Sequence, residues 1–260
     1  METDRLSLAS REGRVVLWEI AGKNRYNRRS RHGRRASKGW ALNESSKSKR
    51  CFSEAQRRVL GGRVLDIGAG IDPVTPDAVV FDLPQGDANR ITAYEPASFD
   101  CVYSSHCLEH MHDPAATLAN WWSLVRPGGA LFLIVPDEDL YEQGVFPSRF
   151  NADHKSTFTI GKKKSWSPRS FNVFDLCASL PGARIESLCV NDIGYDRGIA
   201  FHGPVQRGLL KRLRRFYESL RKRRLIAARP QFERQTASAF VRDQTAGEAM
   251  AQIEAIVRKT

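Results

Sequence analysis

Val64-Leu65-Asp66-Ile67-Gly68-Ala69-Gly70 is the stretch that decides the fold. A short apolar run ends on an acid and passes into a turn with two glycines. Glycine lets backbone come close to a bound group, and the carboxyl ends of strands are where open α/β sheets take their ligands. A dinucleotide-binding turn would continue as G-x-G-x-x-G. Here the third position is Pro73, which disfavours a nicotinamide site.

Strand, helix and turn alternate outward from this point. Cys51 to Leu60 carries a helical pattern and leads into a strand over Arg63 to Ile67. Ala78 to Asp82 and Phe99 to Ser104 read as further strands, and Leu108 to Val125 as a helical stretch broken at His112-Asp113-Pro114. Arg126-Pro127-Gly128-Gly129 is a turn before Ala130 to Pro136, which is apolar throughout, as a buried parallel strand should be. This order predicts a parallel sheet with helical crossovers. Ser167 to Leu180, with Pro168 in its first turn, reads as a helix and Ala183 to Val190 as a strand. Ala239 to Arg242 is expected to be a last, antiparallel strand and Glu248 to Arg258 a closing helix.

With 260 residues, 41% apolar and 27% charged, the chain is expected to bury one core with appendages. No run approaches the roughly 18 to 20 apolar residues of a membrane span, and no apolar segment follows Asp4 and Arg5 as in a secretion signal. A cytoplasmic protein is expected. Cys51, Cys101, Cys107, Cys177 and Cys189 form no C-x-x-C pair and read as reduced core residues.

The net charge of +12 is unevenly placed. Residues 11–50 hold thirteen Lys/Arg against three acids, and residues 205–235 hold eleven against two. The rest of the chain is mildly acidic. Residues 1–50 are therefore expected to be a flexible basic arm, and residues 51–260 a folded domain with a basic helical insertion at about 200–235. On that insertion Leu209, Leu213, Phe216 and Leu220 form an apolar stripe at helical spacing.

Five blocks in order over about 75 residues resemble the class I S-adenosylmethionine-dependent methyltransferases, especially their type 11 group. Asp66, Gly68 and Gly70 match that family's D-x-G-x-G turn, and Asp82 its ribose-binding acid at the end of the second strand. Gly86-Asp87-Ala88 matches the segment whose acid meets the adenine amine. Ser98-Phe99-Asp100-Cys101-Val102 with Leu108-Glu109-His110, and Val125-Arg126-Pro127-Gly128-Gly129-Ala130-Leu131, match the remaining two. The resemblance implies an α/β, Rossmann-like parallel sheet with an antiparallel last strand, and S-adenosylmethionine as cofactor. The implied cofactor residues are Asp66, Gly68, Ala69, Gly70, Asp82, Leu83, Asp87, Ala88, Ser104 and Ser105.

The chain also departs from that pattern. Ile71-Asp72-Pro73-Val74-Thr75-Pro76 leaves little room for the first crossover helix, and only Leu83 to Gly86 separate the two acids. A reduced first crossover helix and a sheet trimmed at its edge are expected. His106, at the end of the third strand, and His154, in Asn151-Ala152-Asp153-His154-Lys155, are the candidates for handling the acceptor's proton. His106, Glu109 and His110 form H-x-x-E-H, elsewhere a zinc helix; at this family block it reads as a helix start beside the cofactor, and no metal is expected.

The short first crossover, the S-S-H-x-L-E-H block and the D-H-K segment resemble relatives that work with glycosyltransferases on surface glycans. The expected acceptor is accordingly a sugar hydroxyl of a glycan or its lipid-linked precursor. An anionic membrane surface, met through the basic helix at the inner face of the membrane, is the expected second partner. RNA is the competing partner, although the arm offers only Tyr26 and Trp40 for stacking. Oligomeric state is left open.

Overall fold

The computed structural model describes residues 44–197, 204–235 and 243–260. Six strands form the main sheet: β1 (Val64–Ile67), β2 (Val79–Phe81), β3 (Phe99–Ser105), β4 (Val125–Pro136), β7 (Ala183–Asn191) and β8 (Gln252–Lys259). Their order is β2-β1-β3-β4-β8-β7. The first four are parallel, and β8 runs antiparallel to both β4 and β7. β5 (Thr157–Thr159) and β6 (Ser170–Asn172) make a separate parallel pair.

The expected trimming is present. Among the described residues no helix lies between β1 and β2, and no strand lies between β2 and β3, so β2 is the sheet edge. Asp72-Pro73 and Pro76 deny the first connection a helical run, and its turns are satisfied locally, as by Asp72 N–H on Ala69 O at 3.1 Å.

Side-chain alternation divides the core between the two sheet faces. Leu65, Val102, Leu131, Leu133 and Val257 join one cluster with Leu118, Trp121 and Trp122. Cys101, Tyr103, Phe132, Ile134 and Ile256 join the other, where Phe52 lies against Phe132 at a ring separation of 5.1 Å. Phe52 precedes α2 (Glu54–Val59), whose start is fixed by a reciprocal capping box between Ser53 and Gln56.

On the first face, α3 (Pro114–Leu124) begins at Asp113, whose side chain accepts from the amides of Ala115 and Ala116. Its buried stripe does more than fill the core. The Trp121 indole N–H donates to Ala88 O at 2.8 Å, and Asn120 bonds both backbone groups of Ile91. Helix α3 thereby holds the loop after β2 in place.

Three expectations change. Glu248 to Arg258 is not a closing helix: residues from Gln252 form β8, a central strand whose first six residues are buried on both faces. The antiparallel strand is therefore β8, and Ala239 to Arg242 lies outside the described residues. Ser167 to Leu180 is split, with β6 pairing with β5 before the Asn172 side chain caps a shorter helix, α4 (Val173–Ala178). The basic arm ends earlier than residue 50, because α1 (Glu44–Lys49) docks on the domain through Ser46 and Lys49 on Asp72 and Lys47 on Thr245 O. Residues 1–43, which hold most of the arm, lie outside the described residues.

Between β7 and β8 the described residues form α5 (Pro204–Lys222) and α6 (Pro230–Gln235). Tyr217 is buried and its ring packs on Phe232 at 4.8 Å. Cys101, Cys107 and Cys177 are buried, Cys51 is half-buried and Cys189 exposed, all as free thiols.

Candidate functional site

A cavity of about 350 Å³ opens at the carboxyl ends of β1, β2 and β3. Gly68, Asp82, Leu83, Asp87, Ala88 and His106 line it, so both expected acids and one expected histidine meet at one place. The position is the one at which parallel α/β sheets bind ligands.

Gly68 has φ +80°, and a Cβ there would sit 2.8 Å from the Cys107 Cβ. Only glycine fits both the turn and that approach. Its N–H donates to Phe81 O at 2.8 Å, which ties the turn to the end of β2. Gly70, at φ +56°, would meet nothing within 4 Å if a Cβ were added, so its outer side is open to a ligand. Asp82 Oδ2 accepts from Gly70 N–H at 2.8 Å and Oδ1 from Leu83 N–H at 2.6 Å. Each oxygen keeps a further lone pair for a hydroxyl donor. Leu83 is 87% exposed on the cavity wall, an apolar surface that a flat ring would cover. Asp87 is exposed, and the Asn89 side chain and backbone N–H groups hold its carboxyl below the usual range.

The other expected cofactor residues stand behind the wall. Asp66 is 1% exposed and its Oδ2 accepts from Val74 N–H at 2.6 Å, so it organises the connection rather than facing the cavity. Burial pushes its carboxyl up to about 7. Ser104 Oγ donates to Ile67 O at 3.1 Å, joining the ends of β3 and β1. Ala69 and Ser105 are buried, and neither they nor Gly70 lines the cavity.

The two candidate histidines separate. His106 lines the cavity with φ +52°, and its Nε2 lies 3.1 Å from Gln252 Oε1. A non-glycine residue held left-handed is a strain that its surroundings must impose. His154 is 3% exposed at its side chain and stands between Glu142, 2.7 Å from its Nδ1, and Glu109, 3.9 Å from its Nε2. It does not line the cavity.

Further wall residues come from the helix start after β3, from the loop after β2 and from the D-H-K segment. Asn89, Cys107, Met111, His112 and Lys155 line the cavity. Lys155 is placed by Nζ bonds to His110 O at 2.8 Å and Asp153 Oδ1 at 3.0 Å, a contact between H-x-x-E-H and D-H-K that spacing does not reveal. Of the acids after β4, Glu138 is buried and bonded by Thr157, Lys162, Ser165 and Ser170, which makes it the clasp of the β5–β6 pair.

Residues 40–162 match a family described as "Methyltransferase domain". Over that segment the chain is similar to a methyltransferase domain. The ubiquinone biosynthesis O-methyltransferase of Ralstonia nicotianae is 41% identical over 54 residues, covering 21% of this chain and 23% of that protein. Its counterpart from Xanthomonas campestris pv. campestris is 39% identical over 56 residues, covering 22% and 23%. The chain thus spans about a quarter of the length of these curated relatives. A solved Haemonchus contortus phosphoethanolamine N-methyltransferase 2 with S-adenosyl-L-methionine aligns over 76% of this chain and 49% of its own, at 15% identity and a TM-score of 0.41.

The residues present fit the cofactor of this domain class. On the cavity wall, Asp82 has lone pairs that would accept from ribose hydroxyls, and Leu83 has an exposed apolar face that an adenine ring would cover. Among the described residues no helix is long and apolar enough to cross a membrane.

Proposed function

We propose that the chain is an S-adenosylmethionine-dependent O-methyltransferase whose acceptor is a hydroxyl group on a lipid-borne molecule. The observation that carries methyl transfer is the cavity on which Gly68, Asp82, Leu83 and His106 meet. Bound there, the sulfonium supplies the methyl group in a single in-line displacement. The chain's own part is to hold the two reactants in line and to take charge of the acceptor's proton. The acceptor oxygen gains the methyl carbon, the electrons of the C–S bond stay on sulfur, and the hydroxyl proton leaves. His106, whose imidazole lies on the cavity wall, is the group we assign to that proton.

Two features support a hydroxyl on a lipid. The curated relatives are O-methyltransferases by name, over their short match. On α5, Leu209, Leu213 and Phe216 are 60%, 45% and 65% exposed, and Arg212, Arg215, Lys222 and Arg223 are exposed near them. An apolar stripe edged by cations suits an anionic lipid surface, where phosphates meet the guanidinium groups while the stripe enters the interface. A lipid-linked sugar, from the sequence resemblance, and a ubiquinone-biosynthesis intermediate, from the relatives' name, share this chemistry. RNA fits it less well, because stacking platforms on α5 reduce to Phe216.

Methyl-labelled cofactor offered with the full chain tests the proposal in three arms: lipid-linked sugars, a hydroxyl-bearing ubiquinone-biosynthesis intermediate, and RNA. Label in either lipid arm supports it and names the source. Label in RNA alone, or in no arm while the cofactor binds, overturns it.

A further inference from the structure

The Glu109 carboxylate is fully buried, and its nearest side-chain donor, His106 Nδ1, stands 3.5 Å from Oε1. A buried carboxylate with no closer donor is uncommon, since the water it loses is only partly replaced. What surrounds it is three imidazoles. His106 Nδ1 lies 3.5 Å and His154 Nε2 3.9 Å from Oε1, and a ring nitrogen of His110 completes a group with Glu109 and His154 whose ligand atoms all lie within 4.8 Å of one another.

The outer contacts show what this group is prepared for. Glu142 Oε1 lies 2.7 Å from His154 Nδ1, which fixes the ring with its Nε2 facing Glu109. His110 Nδ1 is engaged in the same manner by Asp153 Oδ2 at 3.0 Å. Each imidazole thus has one nitrogen fixed by a carboxylate, the arrangement that orients histidine for a metal ion. His154 Nε2 and Glu109 Oε1 face each other across 3.9 Å, too far for a direct hydrogen bond and wide enough for a bridging cation. A proton there would draw the pair to about 2.7 to 2.9 Å. Ligands of a tetrahedral zinc ion, with bonds near 2.0 to 2.1 Å, stand about 3.4 Å apart, which is closer to what is seen.

We propose that Glu109, His110 and His154 hold a divalent transition-metal ion of the zinc type, with Glu142 and Asp153 orienting the two imidazoles. Two imidazoles and one carboxylate suit zinc and its neighbours; magnesium and calcium require oxygen ligands. Three protein ligands leave a fourth position open, as in catalytic rather than structural zinc sites. His110 lines the cofactor cavity while Glu109 and His154 are buried, so the open position borders that cavity. A water or hydroxyl bound there would lose its proton more readily.

The test uses the full chain, stripped with a chelator and titrated with Zn²⁺ by calorimetry, with Mg²⁺ as a control and the demethylated cofactor as a separate ligand. One equivalent of Zn²⁺ with no response to Mg²⁺ is expected. His154→Ala should abolish stoichiometric binding, and Glu142→Gln should weaken it by about 10- to 100-fold while cofactor binding persists. Where a buried variant fails to fold, His110→Ala at the cavity edge gives the same reading. A native chain that takes up no stoichiometric Zn²⁺, or His110→Ala and His154→Ala variants that bind it as the native chain does, overturns the site without touching the cofactor assignment.

Discussion

Asp82 at the end of β2 accepts the Gly70 N–H at 2.8 Å, so the carboxylate next to the cofactor cavity also pins the glycine turn that follows β1. Two functions converge on that carboxylate. The Asp87 carboxylate, on the same wall, accepts from the Asn89 backbone and side chain within its own turn.

Asp82→Ala is therefore expected to weaken cofactor binding more than Asp87→Ala. It removes an acceptor for two hydroxyls and frees the turn, whereas Asp87 gives up one exposed contact. Calorimetry with the demethylated cofactor compares the two, and equal losses would contradict the separate roles of these acids.

Asp66 sets a pH dependence. Its folded-state pKa is raised from 3.8 to about 7, so between those values the native state holds a proton that the unfolded chain has lost. Stability from this residue is complete below about pH 4 and is lost as pH rises through about 7. At roughly 1.4 kcal/mol per pH unit the full loss is of order 4 kcal/mol. Asp66→Asn keeps an acceptor for Val74 N–H and should flatten denaturant stability between pH 4 and 7. An unchanged slope would show that Asp66 is ionised in the fold.

His106→Ala is expected to cut turnover by about 10²-fold with cofactor affinity nearly unchanged, because a proton moves only in the transition state. The kcat against KM split in a methyl-transfer assay reads this. Full turnover in the variant removes His106 from the proton's path.

On α5, Leu213→Ser with Phe216→Ser should weaken sedimentation with anionic vesicles, and Arg212→Glu with Arg215→Glu should do so more at low salt than at high. Each cation contributes about 1 kcal/mol at most, so paired reversals are needed. Retention of binding in both double variants would place the lipid contact elsewhere.

The glycine turn and the trimmed sheet edge are legible in the sequence because their signals are local. The turn at Gly68-Ala69-Gly70, the acid ending β2 and the short Leu83 to Gly86 link are each read within a few residues, and they foretell the missing edge strand. β8 is not legible that way. Enclosed by β4 and β7, it is buried from Gln252 to Val257, polar Gln252 and Glu254 included, and its alternation lapses at Ile256-Val257, so the pattern does not separate it from a helix. Asp66 is found in position but not in direction, since its partner Val74 lies across an irregular connection. The group around Glu109 depends on His154 and Glu142 folding back from a loop, which spacing along the chain does not encode.

The most direct measurement is titration of the native chain with S-adenosylmethionine and its demethylated product by calorimetry. One site per chain for each ligand is predicted, with affinity lost in Gly68→Val, whose side chain has no room beside Cys107. Absence of heat for both ligands up to millimolar concentration, in a chain shown to be folded, would contradict the account.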